Sequence, residues 1–280
     1  MIFSPMNGID KIERFLSESD CKWTIRHVEE CRSTNEEILK IIQNETELAS
    51  KGVVLISNWQ SHGKGRRGAK WESRKSQDLL FSIAISPKIN PSHWTRLTHA
   101  SALGISIGLK KLNFNPEIKW PNDIYINGCK VAGILVESYP DIDKNGIKGG
   151  VAVIGVGLNI NSKKEDFCNS YRAPATSLLE ESKNNLDELD RFLIAGSILK
   201  ELHLQTKKCE KNFADVLLEI KELSSVYGKK VEVQLATGIS ISGTVTDFGK
   251  EGEIVIEKET TSLGRTEVEI ISSAYDLRFL

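Results

Sequence analysis

The segment Asp123-Ile-Tyr-Ile-Asn-Gly-Cys-Lys-Val-Ala-Gly-Ile-Leu-Val-Glu137 constrains the fold more than any other part of the chain. Asn127-Gly128 between two apolar β-prone runs is the residue pair that a two-residue type I′ turn demands, because both central positions need positive φ. The segment therefore reads as an antiparallel hairpin. A further apolar run, Val151–Gly157, follows the polar loop 141–150 and supplies a third strand, while Gly52–Ser57 and Leu79–Ile85 are short enough and apolar enough to be buried strands of the same sheet.

Between these strands the periodicity changes to that of helices. Ile38, Leu39, Ile41 and Ile42 share a stripe after Ser33, and Ser33 with Glu36 has the spacing of a capping box. Apolar residues from Trp94 to Leu112 recur at helical spacing, with Asn115-Pro116 as a stop, and helices are expected near 187–205 and 211–223. Past Ser225 the pattern turns to short alternating strands with glycine turns, at 229–235, 239–245 and 253–257, as in a small barrel. The expected organisation is an α/β (α+β) catalytic domain with a mixed sheet over residues 1–224 and a small C-terminal β-barrel over 225–280.

Total charge excludes little but guides the search: 37 basic residues face 38 acidic ones, so any anion site must be local. The five cysteines contain no C-x-x-C pair and the five histidines no ligand spacing, which argues against a disulfide framework and a zinc site. No run is long enough to span a bilayer, so a cytoplasmic protein without a membrane partner is expected.

Two strings carry chemistry. Gly63-Lys64-Gly65-Arg66-Arg67-Gly68-Ala69-Lys70-Trp71 places three glycines and four cations in nine residues. Glycines let backbone amides converge on an anion, and an arginine fork grips phosphate or carboxylate. It is not a Walker A loop, since Ala69-Lys70-Trp71 replaces the Lys-Ser/Thr end. Taken alone, the string also fits a solvated basic turn, or a nucleic-acid surface flanked by Trp59 and Trp71. The second string, Lys119-Trp120-Pro121-Asn122-Asp123, leads into the hairpin that carries Lys130 and Gly133.

Taken in order, Ser33-Thr34-Asn35, Gln60, GKGRRGAKW at 63–71, KWPNDIYINGCKVAGILVE at 119–137 and GVGLNIN at 155–161 resemble the biotin protein ligases. The resemblance is dense over about 23–180 and agrees with a terminal SH3-like barrel. It implies ATP-dependent formation of biotinyl-5′-AMP, with magnesium, and transfer of biotin to a lysine of a carboxylase's biotin carboxyl carrier protein. It also implies roles for residues. Lys130, Arg66 and Asp123 would be catalytic. Ser33, Thr34, Asn35, Gln60, Gly63, Lys64, Gly65, Arg66, Arg67, Gly68, Trp71, Lys119, Asn122, Lys130, Gly133 and Asn159 would bind the substrates, and no protein metal ligand is expected.

Purely structural roles fit the same residues. Ser33-Thr34-Asn35 is a good helix N-terminus, Lys130 could be an edge-strand lysine, and Trp71 and Trp120 could be core fillers. Lys64 stands where the family usually has arginine, which removes a bidentate fork and leaves room for a degenerate ligase that binds biotin without transferring it. Two rivals also fit: a lipoate protein ligase, which shares the acyl-adenylate chemistry, and a non-enzymatic nucleic-acid-binding module. Only about twenty residues precede Trp23, too few for the winged helix-turn-helix of some family members, so no DNA partner is expected. A monomer or a homodimer is compatible with the sequence.

Overall fold

The computed structural model describes residues 8–45, 47–140, 150–167, 174–182, 187–258 and 267–280. In chain order the N-terminal part contains α1 (Gly8–Ser17), β1 (Thr24–Val28), α2 (Thr34–Asn44), α3 (Glu47–Lys51), β2 (Val53–Ser57), β3 (Leu79–Ile85), α4 (Arg96–Lys110), β4 (Glu117–Lys119), β5 (Asp123–Ile126), β6 (Cys129–Tyr139), β7 (Val151–Leu158), α5 (Arg191–Lys211) and α6 (Phe213–Leu223). Five more strands follow: β8 (Lys230–Gln234), β9 (Ser240–Phe248), β10 (Ile254–Glu257), β11 (Val268–Ile271) and β12 (Asp276–Phe279).

The seven N-terminal strands form one mixed sheet in the order β1-β2-β3-β7-β6-β5-β4, parallel only between β1 and β2. Its middle is covered on both faces, which is why β2, β3 and β7 read as continuous apolar runs. Val53, Leu55, Ala84 and Val153 point to the α2 side with Ile38 and Ile42, and the alternate residues Val54, Ile56, Phe81, Ile83 and Ile154 point to the α4 and α5 side. Helices α4 and α5 approach closely because a Cβ on Gly104 or Gly108 would lie 2.8 Å or 2.9 Å from the backbone of Leu202 or Ile198.

The hairpin forms as expected, with Asn127 at φ 49° and Gly128 at φ 77°. The capping box does not form. Helix α2 does begin after Ser33, but the Ser33 side chain makes no cap bond, and the Glu36 carboxylate is taken by Lys64 Nζ at 2.6 Å. Asp190 starts α5 by accepting from the amides of Phe192 and Leu193, and Asn212 separates α5 from α6 by capping α6. Helix α4 closes at Lys111, ahead of Asn115-Pro116, with Asn113 at positive φ.

The second sheet is antiparallel, ordered β11-β10-β9-β8-β12. It docks on the first through the turn at 249–253. Trp120 Nε1 donates to Gly252 O at 2.8 Å, and Arg96 grips Glu251 through Nε and Nη2 at 2.7 Å and 2.5 Å. Gly252 is required there, since at φ 90° its Cβ would lie 2.2 Å from His99 Nε2.

Burial holds His99 at a pKa of about 4, with Glu253 opposing and Arg66 reinforcing the shift. A histidine depressed in the folded state stabilises the fold fully above its unfolded pKa and loses that contribution as pH falls toward the folded one. Stability should therefore fall by roughly 3 kcal/mol between pH 6.5 and 4 through this group, at about 1.4 kcal/mol per unit. His99→Asn should flatten that limb of a melting-temperature profile; an unchanged slope would refute the assignment.

Candidate functional site

A cavity of about 930 Å³ opens between the sheet surface of β6 and β7, the 64–72 loop, the 119–123 turn and strand β12. That is the size of a small-molecule site. Of the residues singled out from sequence, Ser33, Thr34, Asn35, Gln60, Lys64, Gly65, Arg66, Arg67, Gly68, Trp71, Lys119, Asn122, Asp123, Lys130, Gly133 and Asn159 all line it. Gly63 does not. It is buried at the root of the loop, where Trp71 N donates to Gly63 O at 2.9 Å and a Cβ would lie 2.3 Å from Trp71 O.

One part of the cavity is polar but uncharged. Gln60 Oε1 accepts from Thr34 N at 2.7 Å and from Thr34 Oγ1 at 3.1 Å. Ser82 Oγ lies 2.7 Å from Thr34 Oγ1 and 2.5 Å from Asn35 Oδ1, and Asn35 Nδ2 donates to Glu137 Oε2 at 2.6 Å. The N-terminus of α2 thus presents three consecutive polar residues, all buried, against the sheet. Ser33 keeps its helix-starting role as well, its carbonyl accepting from Glu37 N.

Glycines on the sheet leave the room above it. A Cβ on Gly155 would meet Asn35 Oδ1 at 2.2 Å, and one on Gly157 would meet the Trp71 ring at 2.2 Å. Gly133, the cross-strand partner of Gly157, faces both Trp71 and Lys130. The neutral pocket therefore continues along β7 and β6 to a cationic one. Trp71 lies on this glycine floor with its indole N–H buried and unpartnered.

The cationic part is built from rigid pieces. Lys130 is fixed by its backbone, which donates to Pro174 O and accepts from Thr176 N, and its Nζ sits 2.7 Å from Asp123 Oδ1 and 5.5 Å from the Trp71 ring. Asn122 is locked by exchange of hydrogen bonds with the Ile134 backbone and accepts from Arg66 Nη1 at 2.9 Å. Burial, with Arg67 beside it, lowers the pKa of the Arg66 guanidinium. Lys119 is also shifted down by burial, against the pull of Asp123 and Asp276, and its ammonium lies over the Tyr125 and Phe279 rings. Seven cations and three carboxylates line the whole cavity, so it attracts anions.

The loop itself is folded. Gly65 N donates to Ala69 O, residues 66–68 make one 3-10 turn, and Arg67 takes a left-handed conformation at φ 54°. Arg67 reaches the residue just before β12, 5.7 Å over the Tyr275 ring. Asn159 turns out to be a pin, donating to Thr176 O from beneath the segment that fixes Lys130.

Sequence reasoning missed Ser82, Glu137, Gly155, Tyr275 and Phe279. Glycine inside a buried strand signals close approach of another group, so Gly155 and Gly157 carried a readable hint. Ser82 in an apolar strand gave none. Asp78 was missed too: it is buried away from the cavity, its pKa raised by burial, and it ties Ser162 and Ile160 to the start of β3.

What the fold and the cavity define is an α/β domain with a polar, uncharged pocket that runs into a cationic one under a basic loop. Residues 28–159 match the family model described as Biotin/lipoate A/B protein ligase family. The chain is 31% identical over 140 residues to the bifunctional ligase/repressor BirA of Bacillus spizizenii, covering 50% of this chain and 42% of that one. It thus spans less than half the length of that relative. A biotin–(acetyl-CoA-carboxylase) ligase of Mycobacterium tuberculosis is 28% identical over 251 residues, 88% of this chain and 86% of that one. A biotin protein ligase from Aquifex aeolicus, solved in complex with biotin and ATP, has the same fold, with TM-score 0.72, 24% identity and coverage of 92% and 99%. Among the described residues no helix is long and apolar enough to cross a membrane.

Proposed function

We propose that this cavity joins biotin to AMP at the expense of ATP and passes the biotin to a lysine of a carboxylase's biotin carboxyl carrier domain. The observation that carries the reading is the placement of Lys130, paired with Asp123, where the neutral pocket of Thr34, Asn35 and Gln60 runs into the cationic one. A ureido ring needs neutral donors and acceptors. A carboxylate meeting an α-phosphate needs positive charge between them.

In the first step a biotin carboxylate oxygen forms a bond to the α-phosphorus and pyrophosphate leaves. Lys130 stabilises charge on the non-bridging oxygens, and Arg66, held by Asn122, offers its remaining donors to phosphate. In the second step the acceptor amine, after losing a proton, attacks the acyl carbon and AMP leaves. Asp123 is the carboxylate at hand for that proton. A magnesium ion would be carried on the nucleotide's phosphates. Asp123, whose Oδ1 also faces the Lys130 ammonium, is the carboxylate that would touch it. Bound there, magnesium would offset phosphate charge.

The mixed anhydride must be kept from water, and the 63–71 loop is placed to do so. Arg66→Gly should therefore speed escape of the adenylate more than it slows its synthesis, read by comparing adenylate release with pyrophosphate exchange. Equal losses in both would count against the loop as a cover. The reading as a whole is tested by ATP–pyrophosphate exchange with biotin, lipoate or neither acid. Exchange dependent on biotin alone supports it, exchange with lipoate moves the protein to the sister activity, and none with either leaves a binding module.

A further inference from the structure

Lys64 occupies the second position of the basic loop, and its ammonium is not aimed at the cationic part of the cavity. It lies 2.6 Å from Glu36 Oε1, in the first turn of α2. The other Glu36 oxygen is 3.7 Å from Arg32 Nε, and Glu137 adds its charge to the field at Lys64. The hydrogen bond from Lys64 lowers the Glu36 pKa, and the same bond raises that of Lys64, so both remain charged across the neutral range.

The two carboxylates around Lys64 are not independent of the neutral pocket. Glu137 accepts from the Asn35 amide, and Glu36 follows Thr34 and Asn35 on the same helical turn. The loop returns two residues later to Arg66, which Asn122 holds on the far strand pair. The loop is thus pinned at two points, one on the helix that forms the head-group pocket and one on the 119–123 turn.

We propose that Glu36 is a positioning residue, which through its ion pair with Lys64 ties the basic loop to the helix whose N-terminus forms the neutral pocket and so retains the bound acyl-adenylate. This rests on the loop acting as a cover, as argued above. Glu36 touches no reacting atom; it acts through Lys64. A partly exposed pair makes a difference of only a few-fold, which shows in a release rate and hardly in fold stability.

The experiment is a double-mutant cycle on the release of the adenylate, made in place with biotin and ATP and chased with unlabelled biotin, using Glu36→Gln, Lys64→Gln and the double variant. Glu36→Gln should accelerate release about five-fold with synthesis within about two-fold of the parent, and Glu36→Asp should recover part of the loss. The double variant should release no faster than Lys64→Gln alone, because the pair is one interaction. Unchanged release in Glu36→Gln, or effects that multiply in the double variant, would overturn the proposal. Tryptic cleavage after Arg66 and Arg67 gives a second readout that needs no adenylate. Faster cleavage of Glu36→Gln supports the tie, and equal cleavage contradicts it, even if the parent makes no adenylate and the functional reading has fallen.

Discussion

Lys130→Ala should lower biotin-dependent pyrophosphate exchange by at least about 100-fold, the ~3 kcal/mol typical of losing one donor aimed at developing charge. The fold should survive. What Lys130 contributes to the architecture is its backbone, paired with Pro174 and Thr176, which alanine preserves. The side chain lies in the cavity, a quarter exposed at 27%, so no core packing is lost. The cost to stability is the unpaired Asp123, itself 24% exposed and able to recruit water, so melting should move by only a few degrees. Lys130→Arg keeps the charge but not the compact ammonium, and should recover less than about a tenth of the rate. A variant with near-normal pyrophosphate release would remove Lys130 from the reaction and leave the Lys130–Asp123 pair as scaffolding.

The distribution of what was legible in the sequence follows from what each signal depends on. The 123–137 hairpin was readable because type I′ geometry needs particular residues at two adjacent positions, and Asn127-Gly128 can mean little else. Strands β3 and β7 were readable because burial on both faces leaves an unbroken apolar run. Strand β1, by contrast, is Thr24-Ile-Arg-His-Val28 at a sheet edge with one buried residue, and β11 and β12 are four-residue edge strands with one buried residue each. Nothing local distinguishes them from loops. They exist because a neighbouring strand offers them hydrogen bonds, which is a tertiary fact. The same division runs through the site. The glycines and cations of the basic loop announced themselves by type and spacing, and Asn122 and Asp123 through the family resemblance of the string that holds them. Partners did not: the spacing of Ser33 and Glu36 fits a capping box, and the structure instead sends Glu36 across to Lys64. Local pattern proposes a bond within the helix, and a cation arriving from another segment outcompetes it. Phe279 belongs to the second sheet and Tyr275 directly precedes its last strand in sequence, more than a hundred residues from Lys119 and Arg67, so no spacing rule could have joined them.

Gly157→Ala should weaken biotin binding by about ten-fold or more while leaving the melting temperature nearly unchanged. The reason is geometric. The added methyl would sit 2.2 Å from Trp71 Cε2, 2.5 Å from Nε1 and 2.7 Å from Cδ2, all on one rigid ring, so the ring must lift off the sheet. Trp71 is on a loop and only partly buried, so the ring can move without opening the core, and the cost falls on the cavity rather than on the fold. Strand β7 is buried along its whole length and paired on both sides, so the backbone cannot retreat to share the strain. Overpacking of this kind costs about 1–3 kcal/mol, and about 1.4 kcal/mol is ten-fold in affinity. Trp71 is joined to Gly63 by a backbone hydrogen bond, so the lifted ring also disturbs the root of the basic loop. The check is calorimetric titration of biotin into the variant beside a thermal melt. Replacing the ring in the same background, as Gly157→Ala with Trp71→Leu, should restore part of the affinity by making room for the methyl. Parent-like biotin affinity in Gly157→Ala would mean that the ligand-bound protein already holds Trp71 away from the sheet, and the glycine floor would then serve the unliganded loop alone.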